Sequence, residues 1–206
     1  CLTVEAEVLG SKVFIGDSTA LPRIVAFPDI PMEEIIDNAL SGLLQHGRVP
    51  QVLRSLELLK DMRPGIPLIG NVAGPATLAA SLIRPSSMIE LAKNNPGFLN
   101  RLLEGIVSFQ CSYAEAMVEH GADIIMVNEP AARSGSYMGF DLLHNVLPYF
   151  NELSRYAHLG GAKVILHVCG GRMEQVKICR EANVDAYSFE AEIDPAEAHA
   201  ILHKPI

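Results

Sequence analysis

An α/β fold on a parallel sheet is what this sequence predicts, and three observations predict it. Short apolar runs alternate with helix-period segments from residue 66 onward. Two of the runs, Ile124-Ile125-Met126-Val127 and Val164 to Val168, are almost unbroken hydrophobics, and prolines and glycines punctuate the joins between runs and helices. Unbroken apolar strands mark a sheet covered on both sides, and repeated strand–helix alternation implies right-handed parallel crossovers. An open doubly wound sheet and a (β/α)8 barrel both obey that rule.

The elements follow in order. The first 60 residues are the least regular. They offer a strand at Lys12 to Ile15, a proline-bearing stretch to Pro31 and a helix over 32–40. Ile66 to Asn71 reads as the next strand. Gly70-Asn71-Val72-Ala73-Gly74-Pro75 then leads into a helix with proline at its first position. Ser87 and Glu90 have the spacing of a capping box. Asn95-Pro96 opens a long helix with Leu99, Leu102, Leu103, Ile106, Tyr113 and Met117 on one stripe, closed by Gly121. The strands 124–127, 164–168 and 186–190 come next, with helices over 140–158, 172–182 and 195–203. No repeat, linker or low-complexity segment interrupts them, so one domain over 1–206 is expected. The chain opens on Cys1 and stops at Lys204-Pro205-Ile206, directly after a helical pattern. The expectation is a partial domain lacking N- and C-terminal parts.

Composition narrows the function classes. The chain has 206 residues, 49% hydrophobic and 19% charged, which suits a buried sheet and excludes a disordered chain. A net charge of −8, with lysines and arginines scattered singly, argues against nucleic-acid binding. No apolar run approaches the ~18 residues of a membrane span. The four cysteines are too sparse for a disulfide scaffold, which makes a reduced, cytoplasmic protein the expectation.

The chemistry concentrates where strands end. His167 and Cys169 alternate on one strand, so both side chains share a face about 6–7 Å apart along it. They read either as two ligands of a metal or as a buried pair, and the residues alone favour the buried pair, because cysteine is among the most buried residue types and this ligand spacing is not specific. Gly170-Gly171 lets backbone approach whatever sits at that strand end. Glu190 closes the following strand on the same rim, where it either completes a metal shell or begins a solvated loop. Asn128-Glu129-Pro130 ends another strand ahead of Arg133-Ser134-Gly135-Ser136, and is either functional or a βα loop. Residues 70–75, with Asn71 and Gly74, offer helix N–H groups to an anion or form only a tight turn. His120, His144, His158, His199 and His203 read as surface or structural, and Cys111 and Cys179 as core.

In order and spacing, these motifs resemble the uroporphyrinogen decarboxylase superfamily, and within it the methylcobamide:coenzyme M methyltransferase branch. The residues that carry the resemblance are Leu2 to Gly10, Pro67 to Ala79, Gly121-Ala122-Asp123 with Glu129-Pro130, Val146 to Tyr149, and Ile165 to Gly170. The resemblance implies a (β/α)8 TIM barrel with its site at the C-terminal rim, present here as an incomplete barrel. It implies zinc held by His167 and Cys169 plus a cysteine far downstream, which Cys179, within a helix, does not supply. Glu190 stands where a carboxylate ligates zinc when no thiol is bound. Glu129 stands where the family more often has aspartate, and both glutamates become catalytic candidates. Asn71, Gly74 and Asn128 become substrate-binding candidates. The implied reaction moves a methyl group from a methylcobamide on a corrinoid protein to a thiol such as coenzyme M. The alternatives are a metal-free decarboxylase of a tetrapyrrole, which has no use for a His-x-Cys pair, and a non-catalytic binding protein on a degenerate barrel.

Overall fold

The computed structural model describes residues 2–63, 65–132, 142–169 and 172–206. Cys1, the segment Arg133-Ser134-Gly135-Ser136, the Gly170-Gly171 turn and the side chain of His144 lie outside the described residues.

The chain opens with a short helix α1 (Val4–Val8) and an antiparallel hairpin of β1 (Lys12–Phe14) and β2 (Arg23–Ala26). The Asp17 carboxylate holds the hairpin loop by accepting from the backbone of Thr19 and Ala20. Two amphipathic helices follow, α2 (Met32–Leu40) and α3 (Val49–Met62). Beyond them the promised alternation runs through β3 (Ile69–Ala73), α4 (Pro75–Leu82), α5 (Pro85–Asn94) and α6 (Pro96–Glu119) to β4 (Ile124–Asn128). A single 3-10 turn, Pro130–Ala132, precedes α7 (Leu142–Leu159) and β5 (Lys163–Val168). The last elements are α8 (Met173–Cys179), β6 (Ala186–Phe189) and α9 (Pro195–Leu202).

Strands β3, β4, β5 and β6 form one parallel sheet in sequence order. That order separates the two topologies the sequence left open. A doubly wound sheet reverses its strand order at a switch point and carries helices on both faces. Here the order never reverses, and one face takes the helices. Val72, Ile125, Val127, Val164, Leu166 and Val168 are buried in one cluster with Ala114 and Met117 of α6, Leu153 of α7 and Val176 of α8. The other face carries Asn71, Met126, Asn128, Ile165, His167 and Ser188, all half-buried or exposed. This is the wall of a (β/α) barrel, with β3 and β6 as its two edges.

Several boundaries differ from the sequence prediction for identifiable reasons. The strand expected from Ile66 begins at Ile69, because Pro67 has no N–H and the Leu68 N–H is taken by the Asp123 side chain. The capping box expected of Ser87 and Glu90 is not formed. Helix α5 already begins at Pro85, which puts Ser87 inside the first turn, and its N-cap is Arg84 with no side-chain bond. Besides the 3-10 turn, three elements lie outside the prediction: α1 at the start of the chain, β2, within the proline-bearing stretch, and α3, which buries Val49, Leu53 and Leu56. The long helix forms as its stripe requires, with the Asn95 side chain accepting from the Phe98 N–H and Gly121 at φ +106° behind it.

Candidate functional site

The site sits where β4, β5 and β6 end on the open face. In the ladder Asn128 is level with His167, and His167 with Ser188, so one polar row crosses three strands. The His167 ring is held from both of its nitrogens. Its Nδ1 lies 3.0 Å from the Ser188 hydroxyl and its Nε2 lies 2.8 Å from the Cys169 sulfur. Imidazole and thiol therefore converge on one point, both half-buried. An N,S pair of this kind suits zinc, which prefers imidazole and thiolate in tetrahedral sets. The pair supplies two donors. Glu190 is exposed just beyond β6, where its carbonyl accepts from Ile193 N–H. Among the described residues no group of three or more His, Cys, Asp or Glu stands close enough to hold a metal ion.

Glu129 occupies a different environment one residue past β4. Its own N–H donates to the His167 carbonyl at 2.8 Å, which ties it to the same rim. Its side chain turns away and is buried, with 1% exposed. One carboxylate oxygen accepts from Ala76 N–H at 3.0 Å, and the other from Thr77 N–H at 2.8 Å and from the Thr77 hydroxyl. The N–H groups at the start of α4, read from sequence as an anion site, thus face this carboxylate. Burial pushes the Glu129 carboxyl up to about 7, against the downward pull of the Thr77 hydroxyl and the two N–H groups. Gly74 makes the approach feasible. A Cβ there would collide with the Glu129 carboxylate, and the Gly74 N–H donates to the Asn128 carbonyl at 2.6 Å.

Asn71 and Asn128 meet on the open face, the Asn128 amide donating to the Asn71 side-chain oxygen at 3.2 Å and to the Met126 carbonyl at 3.2 Å. Asn71 also lines a cavity of about 370 Å³ with Arg48, Gln51, Ile69 and Tyr113, beside the β3 edge. The structure therefore brings His167, Cys169, Asn128 and Asn71 to one face, and keeps the carboxylate of Glu129 behind it.

Four residues of this region go unread in the sequence. Ser188 was legible in principle, since period-two alternation back from Glu190 puts it on the rim face. Thr77 stands at the third position of a helix behind Gly-Pro. Glu5 and Gln110 bracket one residue, Ala73. Its N–H donates to Glu5 Oε1 at 2.6 Å, and its carbonyl accepts from Gln110 Nε2 at 2.6 Å. Glu5 is fully buried and burial pushes its carboxyl up. Nothing local in the sequence marks that pair, which stands 105 positions apart.

His158 and His199 have backbone or carboxylate partners, namely Asp185 at 2.8 Å and the Lys204 carbonyl at 2.9 Å. Cys111 and Cys179 are buried, and burial pushes both thiols up to about 12. No helix among the described residues is long and apolar enough to cross a membrane.

Comparison with known proteins adds the family context. A family model described as uroporphyrinogen decarboxylase (URO-D) matches residues 1–206. The methylcobamide:CoM methyltransferase MtaA of Methanosarcina barkeri is 29% identical over 206 residues, covering 98% of this chain and 59% of the relative. The uroporphyrinogen decarboxylase of Thermus thermophilus is 29% identical over 170 residues, covering 80% of this chain and 49% of that protein. The solved structure of a methyltransferase from Methanosarcina mazei superposes with a TM-score of 0.83 at 25% identity, over 98% of this chain and 59% of that one. The chain thus spans 59% of the length of these methyltransferase relatives.

Proposed function

The chain belongs to the uroporphyrinogen decarboxylase family, and from that premise we propose that the protein is a zinc-dependent methyltransferase moving a methyl group from a methylated corrinoid protein to a thiol such as coenzyme M. The observation that carries the reading is the convergence of His167 Nε2 and Cys169 Sγ at 2.8 Å on the open rim. A metal-free decarboxylase has no use for that pair. The names of the methyltransferase relatives support the same reaction class.

In this reading His167 and Cys169 would hold zinc, and Glu190, exposed just beyond β6 and not grouped with them, would have to approach to act as a third ligand when no thiol is bound. Bound zinc would supply the Lewis acidity that keeps a substrate thiol deprotonated near neutral pH. The chain's own residues do the rest. Asn71 and Asn128 present amide groups on the open face, where the polar tail of a thiol needs hydrogen bonds. Glu129, through its N–H on the His167 carbonyl, fixes the strand end that carries the ligands. Gly74 leaves the space that this carboxylate fills. A corrinoid partner would approach at this rim.

The test is methyl transfer from free methylcobalamin to coenzyme M by the full-length protein and by its His167→Ala/Cys169→Ala variant. The expected result is activity in the first and a loss on the order of 100-fold or more in the second. Decarboxylation of a porphyrinogen by the unmutated protein, with no methyl transfer, would overturn the reading.

A further inference from the structure

Ser188 stands beside the proposed metal pair but is not one of its ligands, and the fold holds it in place. On its strand, Tyr187 points into the core, where its hydroxyl donates to the Cys179 carbonyl at 2.7 Å. The Tyr187 N–H donates to the Pro205 carbonyl at 2.9 Å. Tyr187 and Phe189 stack at 5.9 Å between ring centres. The β5–β6 ladder sets His167 level with Ser188. A side chain on such a strand has one choice of face, so the Ser188 hydroxyl is delivered to His167 Nδ1 at 3.0 Å by backbone register rather than by a mobile loop.

A neutral imidazole has one N–H and one lone pair, and its two partners decide which nitrogen carries which. A hydroxyl can serve either nitrogen, because it both donates and accepts. A thiol cannot do so equally well. Its sulfur is a weak acceptor, while its S–H needs a lone pair to point at. With Nε2 against the Cys169 sulfur and Nδ1 against the Ser188 oxygen, the arrangement that serves both neighbours has the proton on Nδ1.

We infer that Ser188 is a positioning residue that holds His167 as its Nδ1–H tautomer and so presents the Nε2 lone pair beside the Cys169 sulfur. Its use in metal binding rests on the function proposed above; the tautomer itself does not. A ligating histidine ordinarily donates its other N–H to an oxygen, which fixes ring orientation and raises ligand basicity. Ser188 supplies that oxygen from the neighbouring strand. Removing such a partner typically weakens metal affinity ~10–100-fold.

The experiment reads the metal-free protein first. Two-bond nitrogen–proton correlations of the histidine rings, with His167 assigned by a His167→Gln variant, report which nitrogen carries the proton. The unmutated protein is expected to show Nδ1 protonated and Nε2 bare. Ser188→Ala is expected to move the ring toward Nε2–H, and Ser188→Thr, which keeps the hydroxyl, to restore the original pattern. An Nε2–H ring in the unmutated protein overturns the inference, and so does an unchanged ring in Ser188→Ala, whatever happens to its thermal stability. Zinc competition titrations form the second arm, with a ~10–100-fold weaker affinity expected in Ser188→Ala and near-native affinity in Ser188→Thr. Absence of zinc binding in the unmutated protein would remove the proposed function while the tautomer result still decides the role of Ser188.

Discussion

At the N-terminal end of the sheet, Asp123 stands just before β4 and reaches back to the Leu68 N–H at 2.8 Å and the Lys60 ammonium at 2.7 Å. Asp185 does the same before β6, accepting from the Val164 N–H at 2.8 Å, Lys163 at 2.9 Å and His158 at 2.8 Å. At the C-terminal end, Glu129 and Glu5 are fully buried and bonded to backbone N–H groups and, at Glu129, to a hydroxyl instead of an ammonium. The charge states move in opposite directions. The Lys60 ammonium, with the Leu68 N–H, holds Asp123 low. Partial burial works against the charge of Asp185, yet Lys163, the Val164 N–H and His158 overcome it and hold its carboxyl at about 2. Burial drives Glu129 up to about 7. The lower rim uses carboxylates as clamps between strands, matched with cations. The upper rim keeps carboxylates in costly settings beside the half-buried His–Cys pair. This is the usual division of a barrel, stability below and chemistry above.

The largest expected effect breaks the upper rim. Gly74→Ala puts a Cβ where the Glu129 carboxylate lies, and that group is buried and tied to Ala76 and Thr77. The protein should lose ~2–4 kcal/mol in urea unfolding, from overpacking and disrupted buried hydrogen bonds. A change below ~0.5 kcal/mol would mean that the close approach is not needed.

Next comes pH. A folded-state value near 7, raised from the ordinary 4.5, makes the contribution of Glu129 fully present below about 4.5 and lost as pH rises through 7. The difference is ~3 kcal/mol at 1.36 kcal/mol per unit. Glu129→Gln should remove that slope between about pH 4.5 and about pH 7, while lowering stability at pH 5 by ~1–2 kcal/mol because an amide NH2 replaces an acceptor. An unchanged slope in the variant would separate Glu129 from the effect.

The lower rim should respond in the opposite sense and less. Asp185 sits below its ordinary value, so its contribution is present above about 3.8 and is lost as pH falls through 2. Asp185→Asn should cost ~1–2 kcal/mol near neutral pH, with the gap to the unmutated protein closing in acid. A gap that persists in acid would contradict the clamp. Lys60→Ala should be smallest, under ~1 kcal/mol and smaller still in high salt, because the pair is largely exposed.

The same comparison shows what a sequence can and cannot reveal. The central strands were legible because β4 and β5 carry near-continuous apolar runs, although only alternate residues are buried and the open face is half-buried, and α6 because its stripe is long and capped by Asn95. The hairpin strand β2 hides among prolines and is half-exposed, so it carries little hydrophobic signal. His167 and Cys169 were legible as a pair because alternation alone puts them on one face. Ser188 needed the β5–β6 register, and Glu129 needed the knowledge that Gly74 and Thr77 close around it. Pairings between strands are long-range facts that residue spacing along one strand does not contain. The barrel itself emerged from strand order and from which face the helices leave open.

The central claim is that His167 and Cys169 are metal ligands. It is tested most directly by zinc content after equilibrium dialysis of the full-length protein and of its His167→Ala/Cys169→Ala variant. The account predicts about one zinc per chain in the first, held by His167 and Cys169 with a position left open for the thiol, and none in the second. Zinc retained at the same stoichiometry in the double variant would contradict it.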